Sequence, residues 1–187
     1  MINKLQFKWR KWRERSVLKR QFENLKNSDL PEYIFAPLHF LITSQPGHDE
    51  KNVIDKVEKL RRNIVEEADE LDIFYSPLPD SAGKHATEDL RPEPGELKKF
   101  DPHKVAYKAS ITQYWGTFLY LLAKAHQSDT IMELGACAGI SGSYLSSSTY
   151  CSRFITIEGS KGLAIKKKKN ISSITNNGKV YNMLFDD

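Results

Sequence analysis

The chain has 187 residues, 40% of them apolar and 28% charged, with a mean hydropathy of −0.53. That composition points away from disordered, collagen-like and membrane classes and is enough for one sizeable core, or one domain plus an appendage. The net charge of +4 is uneven: residues 1–20 carry eight Lys/Arg against Glu14, so the other 167 residues sum to −3. The basic character is a tip, not a property of the body, which argues against a nucleic-acid-binding domain. No uncharged apolar run approaches the roughly 18 residues of a membrane-spanning helix. The N-terminus lacks an apolar signal-peptide core. Two cysteines, Cys137 and Cys151, make no disulfide framework, so a cytoplasmic location is expected.

Residues 1–26 read as a basic helix carrying Trp9, Trp12, Phe22 and Leu25. Contact with an acidic lipid surface or a partner remains open, but the uneven apolar spacing favours a helix docked on the body. Residues 28–48 hold Pro31, Pro37, Pro46 and Gly47 around short apolar pieces and predict short helical or irregular packing elements. In 49–70, Val53, Ile54, Val57, Leu60, Ile64 and Val65 follow helical spacing. Asp72–Ser76 predicts a short strand or extended segment. Residues 77–102 hold five of the eight prolines and predict a loop, either a lid or a linker. His85 and His103 in and beside it read as solvated.

From Lys104 the pattern changes. Ile111, Tyr114, Trp115, Phe118, Leu119 and Leu122 form one apolar helical stripe and predict a core-facing helix. There follow a strand 130–134, a glycine turn 135–139, a helix 140–147, a strand 153–158, a helix 161–174, a turn 176–178 and a strand 179–185. Strands alternating with helices predict a parallel βαβ sheet. The boundaries expected are an N-terminal helical and loop extension over 1–103 and a Rossmann-like α/β region over 104–187. Lys166–Lys169 reads as a solvated helix face.

The candidate chemistry lies where the first strand ends. Glu133 is followed by the turn Gly135-Ala136-Cys137-Ala138-Gly139, by Ser141 in the first helical turn, and by Glu158 ending the second strand. Parallel strands bind nucleoside ligands in the crevice above their carboxyl ends. Small residues in the turn let a ligand approach the backbone, and an acid about 20 residues on accepts hydrogen bonds from ribose hydroxyls. A dinucleotide turn needs Gly-x-Gly-x-x-Gly. Here the second and third glycine positions are Cys137 and Ile140, which disfavours a nicotinamide dehydrogenase. The spacing acid-x-Gly-x-x-x-Gly suits a ligand without phosphates.

Met132–Ser141 (Met-Glu-Leu-Gly-Ala-Cys-Ala-Gly-Ile-Ser) resembles motif I of class I S-adenosylmethionine-dependent methyltransferases, most of all the O-methyltransferase branch that includes catechol O-methyltransferase and bacterial enzymes. Phe154–Gly159 is similar to the second-strand motif of that family, and Val180–Asp187 to its third strand and following turn. The likeness spans 104–187, fades over 49–76 and is not seen over 1–48. It implies S-adenosylmethionine as cofactor. Gly135, Ala136 and Gly139 would line the methionine end. Glu133 would anchor the turn and reach the cofactor through water, and Ser141 would bond the methionine carboxylate. Glu158 would hold the ribose, Gly159 would leave room for adenine, and Leu184 or Phe185 would flank it.

The family's sheet has seven strands, and this chain supplies three, in the expected order 3-2-1. The sequence is therefore expected to be truncated after the third strand, with the first strand's outer edge unpaired. The family's catalytic base and the divalent metal of its catechol branch have no positions here. The expected activity is methyl transfer to a hydroxyl of a small molecule, with this chain carrying the cofactor-binding half. A non-catalytic S-adenosylmethionine-binding remnant or interaction module is the alternative.

Overall fold

The computed structural model describes residues 16–17, 19–26, 29–66, 70–74, 97–135 and 137–183. Most of the basic tip, the central part of the proline-rich segment, Ala136, Leu184 and Phe185 therefore lie outside the described residues.

Residues 19–25 are helical, and Phe22 packs edge-on against Phe35 at 6.2 Å between ring centroids. A 3-10 turn, Glu32–Ile34, leads into helix α1, Phe35–Thr43. It ends at Ser44, whose left-handed conformation breaks the helical repeat. Helix α2, His48–Glu66, has Asp49 and Glu50 in its first turn, where carboxylates favour the helix dipole. It buries Ile54, Val57, Leu60 and Ile64 along one stripe, as their spacing dictates.

Strand β1, Leu71–Phe74, pairs antiparallel with β2, Leu97–Phe100. The loop expected over 77–102 is thus corrected at 97–100. Leu97-Lys98-Lys99-Phe100 has no clean alternation of its own, and cross-strand pairing with β1 is what makes it a strand. Lys99 reaches Glu70 across the pair at 3.0 Å. Asp101 caps the next short helix, Pro102–Lys104, by accepting from the His103 N–H at 2.8 Å. That helix runs into a π-helical turn, Val105–Ala109.

Helix α3, Gln113–Ala125, buries Gly116, Thr117, Tyr120 and Ala123. Of the predicted apolar stripe, Tyr114 packs against Phe40 of α1 at 5.5 Å between ring centroids, whereas Trp115 is 50% exposed. The face is chosen by close approach: a Cβ at Gly116 would lie 2.4 Å from the Tyr144 ring, so only glycine lets α3 meet its neighbour here. The Tyr114 hydroxyl donates to the Leu41 carbonyl at 2.5 Å and ties α3 to α1.

The α/β region follows the expected order: β3, Thr130–Leu134; α4, Ile140–Ser146; β4, Arg153–Ile157; α5, Lys161–Ser172; β5, Gly178–Tyr181. The three strands are parallel in the order β3-β4-β5, with Thr130 opposite Arg153 and Ile157 opposite Tyr181. The protein is therefore mixed α/β. On one sheet face Phe154 is buried with Ile171 of α5, and Ile131, Leu145 and Val180 pack around them. On the other, Met132 and Leu134 are 61% and 58% exposed. Among the described residues β3 has one neighbouring strand. No helix among these residues is long and apolar enough to cross a membrane.

A single apolar cluster crosses the expected boundary at residue 103. Ile54, Val57, Leu60, Ile64, Leu71 and Ile73 pack with Val105, Ala106, Tyr120, Ile140, Tyr144 and Leu163. Through it runs a polar network. Arg61 is bidentate to Glu58, at 2.9 and 3.1 Å, and donates to the Ile111 carbonyl at 2.7 Å and to the Ala106 carbonyl. The Tyr144 hydroxyl donates to the same Glu58 at 2.9 Å. Burial first, then the Glu58 carboxylate, pushes the Tyr144 phenol far above its ordinary range.

Candidate functional site

The strand-to-helix bend 135–139 is tightly wound. Gly135, Cys137 and Gly139 take φ of 64°, 50° and 85°. At Gly139 the left-handed backbone and the neighbouring helix both exclude a side chain, since a Cβ there would meet Lys167 Cγ at 2.9 Å. The bend is anchored at several points. The Gly135 N–H donates to the Ile157 carbonyl at 2.9 Å, joining the bend to β4. Ser143 Oγ donates to the Gly139 carbonyl at 2.7 Å, and Asn170 Nδ2 to the Ala138 carbonyl at 2.8 Å.

Glu158 follows β4 and turns its carboxylate into this bend. Oε2 accepts the Cys137 N–H at 3.1 Å, and Oε1 accepts the Ser160 N–H at 3.0 Å. The residue is 8% exposed. Burial pushes its carboxyl above the ordinary value, against the Ser160 and Cys137 amides and the Lys167 charge, which favour the ionised form. Past β5, Asn182 Nδ2 donates to the carbonyls of Glu158 and Gly159 at 2.8 and 3.0 Å and fixes the backbone around the acid.

Glu133 lies on the helix-covered face of the sheet, opposite Thr156 in the register. Its Oε2 accepts from Thr156 Oγ1 at 3.0 Å and lies 3.8 Å from Lys167 Nζ. Ser141 stands in the first turn of α4, half-buried. Of the residues singled out from the sequence, Glu133, Gly135, Gly139, Ser141, Glu158 and Gly159 are described and cluster at the carboxyl ends of β3 and β4. Ala136 and Phe185 lie outside the described residues. Cys137 sits in the bend with its thiol pushed up by burial, so it is no ready nucleophile at neutral pH. Among the described residues no group of three or more His, Cys, Asp or Glu is placed to hold a metal.

One expectation is overturned inside the lysine run. Lys168 and Lys169 are exposed, but Lys167 is 0% exposed. Leu163, Ala164, Lys167, Asn170 and Ile171 form the buried stripe of α5, and both polar members reach the bend or its acids. Burial pulls the Lys167 ammonium below its ordinary value, opposed by Glu133 and Glu158.

The arrangement is a backbone cradle with one nearly buried carboxylate at its mouth, braced from below by a lysine and an asparagine. It can accept hydrogen bonds from a polar ligand while holding the backbone of the bend open to close approach. The chain matches no protein-family model, no curated protein and no solved structure at a significant level.

Proposed function

We propose that residues 104–187 bind S-adenosylmethionine and serve methyl transfer to a hydroxyl of a small molecule. In this reading the chain carries the cofactor-binding half of a seven-strand Rossmann-like sheet, with β5, β4 and β3 as its strands 3, 2 and 1. The supporting observation is the carboxylate of Glu158 bonded into the 135–139 bend through the Cys137 N–H at 3.1 Å. Each carboxylate oxygen has one backbone donor and a further lone pair, so the acid retains capacity for two ribose hydroxyls.

Gly135 and Gly139 would line the amino-acid end of the ligand, and Ser141 would bond its carboxylate. Gly159, held by Asn182, would leave room for the adenine. Glu133 supports the end of β3 from the covered face. When bound, S-adenosylmethionine supplies an activated sulfonium methyl, and the task left to these residues is binding and orientation.

A non-catalytic S-adenosylmethionine-binding module is the second reading. It is favoured by β3, which pairs on one side only among the described residues and leaves Met132 and Leu134 uncovered.

Calorimetric titration with S-adenosylhomocysteine and with NADH tests the ligand. S-adenosylhomocysteine is expected to bind the more tightly. Glu158→Ala is expected to weaken it by about a hundredfold or more, since hydrogen bonds to a charged group contribute about 1.5–3 kcal/mol each. Tighter NADH binding, or no S-adenosylhomocysteine binding at about 1 mM, overturns the reading. Methyl-transfer assays on small hydroxyl acceptors separate enzyme from module.

A further inference from the structure

We propose that Lys167 is a positioning residue for this site: its buried ammonium holds the Glu133 and Glu158 carboxylates together beneath the 135–139 bend and so aims the acid that a nucleoside ribose would meet. That use depends on the ligand reading above; the placement of the lysine does not.

Lys167 is wholly buried on the inner stripe of α5. Its stem passes under Gly139, where a Cβ would stand 2.9 Å from Cγ. Its Nζ lies 3.8 Å from Glu133 Oε2 and 3.5 Å from the carbonyl of Ile157, the residue before Glu158. The titratable groups facing it are Glu133 from β3, Glu158 beyond β4 and the Cys137 thiol in the bend. Thr156 bonds the same Glu133 Oε2, and Asn170 on the same stripe of α5 bonds the Ala138 carbonyl.

Two carboxylates in one poorly solvated place repel each other, and one takes up a proton unless a cation stands by. A lysine serving only to fill space here would be replaceable by methionine. Its 3.8 Å to Glu133 Oε2 exceeds that of a committed ion pair, so Glu133 does not saturate its charge. Glu158, the residue after the Ile157 carbonyl that Nζ reaches, is the second acid facing it.

The test uses Lys167→Met, Lys167→Arg, Glu133→Gln and the double variant K167M/E133Q. Carboxyl NMR titration of Glu158 without ligand is the first readout, and S-adenosylhomocysteine affinity at about pH 6 and about pH 8 is the second. K167M is expected to move the Glu158 titration to higher pH. It should weaken S-adenosylhomocysteine by about tenfold or more at the lower pH, with recovery at the higher pH. Adding E133Q removes the repulsion and is expected to bring both readouts back toward wild type, and Lys167→Arg to retain them.

An unmoved Glu158 titration in folded K167M overturns the proposal, as does a double variant no better than the single one. Should K167M not fold, Glu133→Gln alone is expected to move the Lys167 side-chain titration to lower pH, and no movement overturns the proposal. If the wild-type protein binds no S-adenosylhomocysteine, the ligand reading fails and the NMR titrations alone decide the role of Lys167.

Discussion

Among the described residues two cations are buried, one in the N-terminal helical layer and one beneath the sheet's bend, and they are held in opposite ways. Arg61 is held by directional bonds: a bidentate carboxylate from its own helix and two carbonyls from the 105–111 segment accept from its planar fork. Lys167 Nζ lies 3.5 Å from the Ile157 carbonyl and 3.8 Å from Glu133 Oε2, and it faces Glu158 as well. The guanidinium fork suits fixed, directional bonding, whereas an ammonium is a compact charge on a flexible stem. The first arrangement locks two elements together. The second keeps a charge in reserve beside groups that a ligand would engage.

The largest effect is expected from breaking the locked cation. Arg61→Met would leave Glu58 and two carbonyls unpaired and is expected to cost about 3–5 kcal/mol by urea unfolding. Arg61→Lys is expected to recover less than half, because one ammonium cannot reproduce the fork. A loss under about 1 kcal/mol would erase the contrast with Lys167.

Next is the contact that brings α3 onto α4. Gly116→Ala forces a methyl into the Tyr144 ring and is expected to cost about 1–3 kcal/mol in thermal unfolding. Because Tyr144 also bonds Glu58, this substitution should disturb the Arg61 network and leave the bend unaffected, which amide chemical shifts of 135–139 would check. Tyr144→Phe removes one hydrogen bond from that network and is expected to cost about 1 kcal/mol.

The smallest effect sharpens the other side. The Glu158 carboxyl is raised by burial above its ordinary value of 4.5. A raised acid contributes stability that is present below its unfolded value and lost as pH rises through the folded one. Wild type should therefore lose stability relative to Glu158→Gln as pH climbs from about 4.5 toward neutrality. A stability difference independent of pH would mean that the acid is not sensing its burial.

Much of the α/β region was legible because its signals are local. The strand at 130–134, the bend of small residues and the helix starting at Ile140 follow from apolar runs and left-handed-tolerant positions. The strand at 97–100 was not legible, since Leu97-Lys98-Lys99-Phe100 is extended only because β1 lies beside it. The stripe Tyr114–Trp115–Phe118 was legible as a stripe, and Tyr114 does meet Phe40, but the exposure of Trp115 was not legible. The burying face went to Gly116 and Tyr120, where small size allows two helices to approach. Within the site, the acid at 158 and the bend were read from spacing. That Glu133 and Glu158 both face Lys167 depends on how α5 lies against the sheet.

The amino-acid order by itself determined the alternation of strands and helices, the bend at 135–139 and the acid that follows β4, because these depend on residues close together along the chain. Tertiary structure alone decided that Lys167 is sealed under the bend while Lys168 and Lys169 stay in water. A run of four lysines has no preferred side until α5 lies against the sheet, and its stripe of Leu163, Ala164, Asn170 and Ile171 then carries one of them inside.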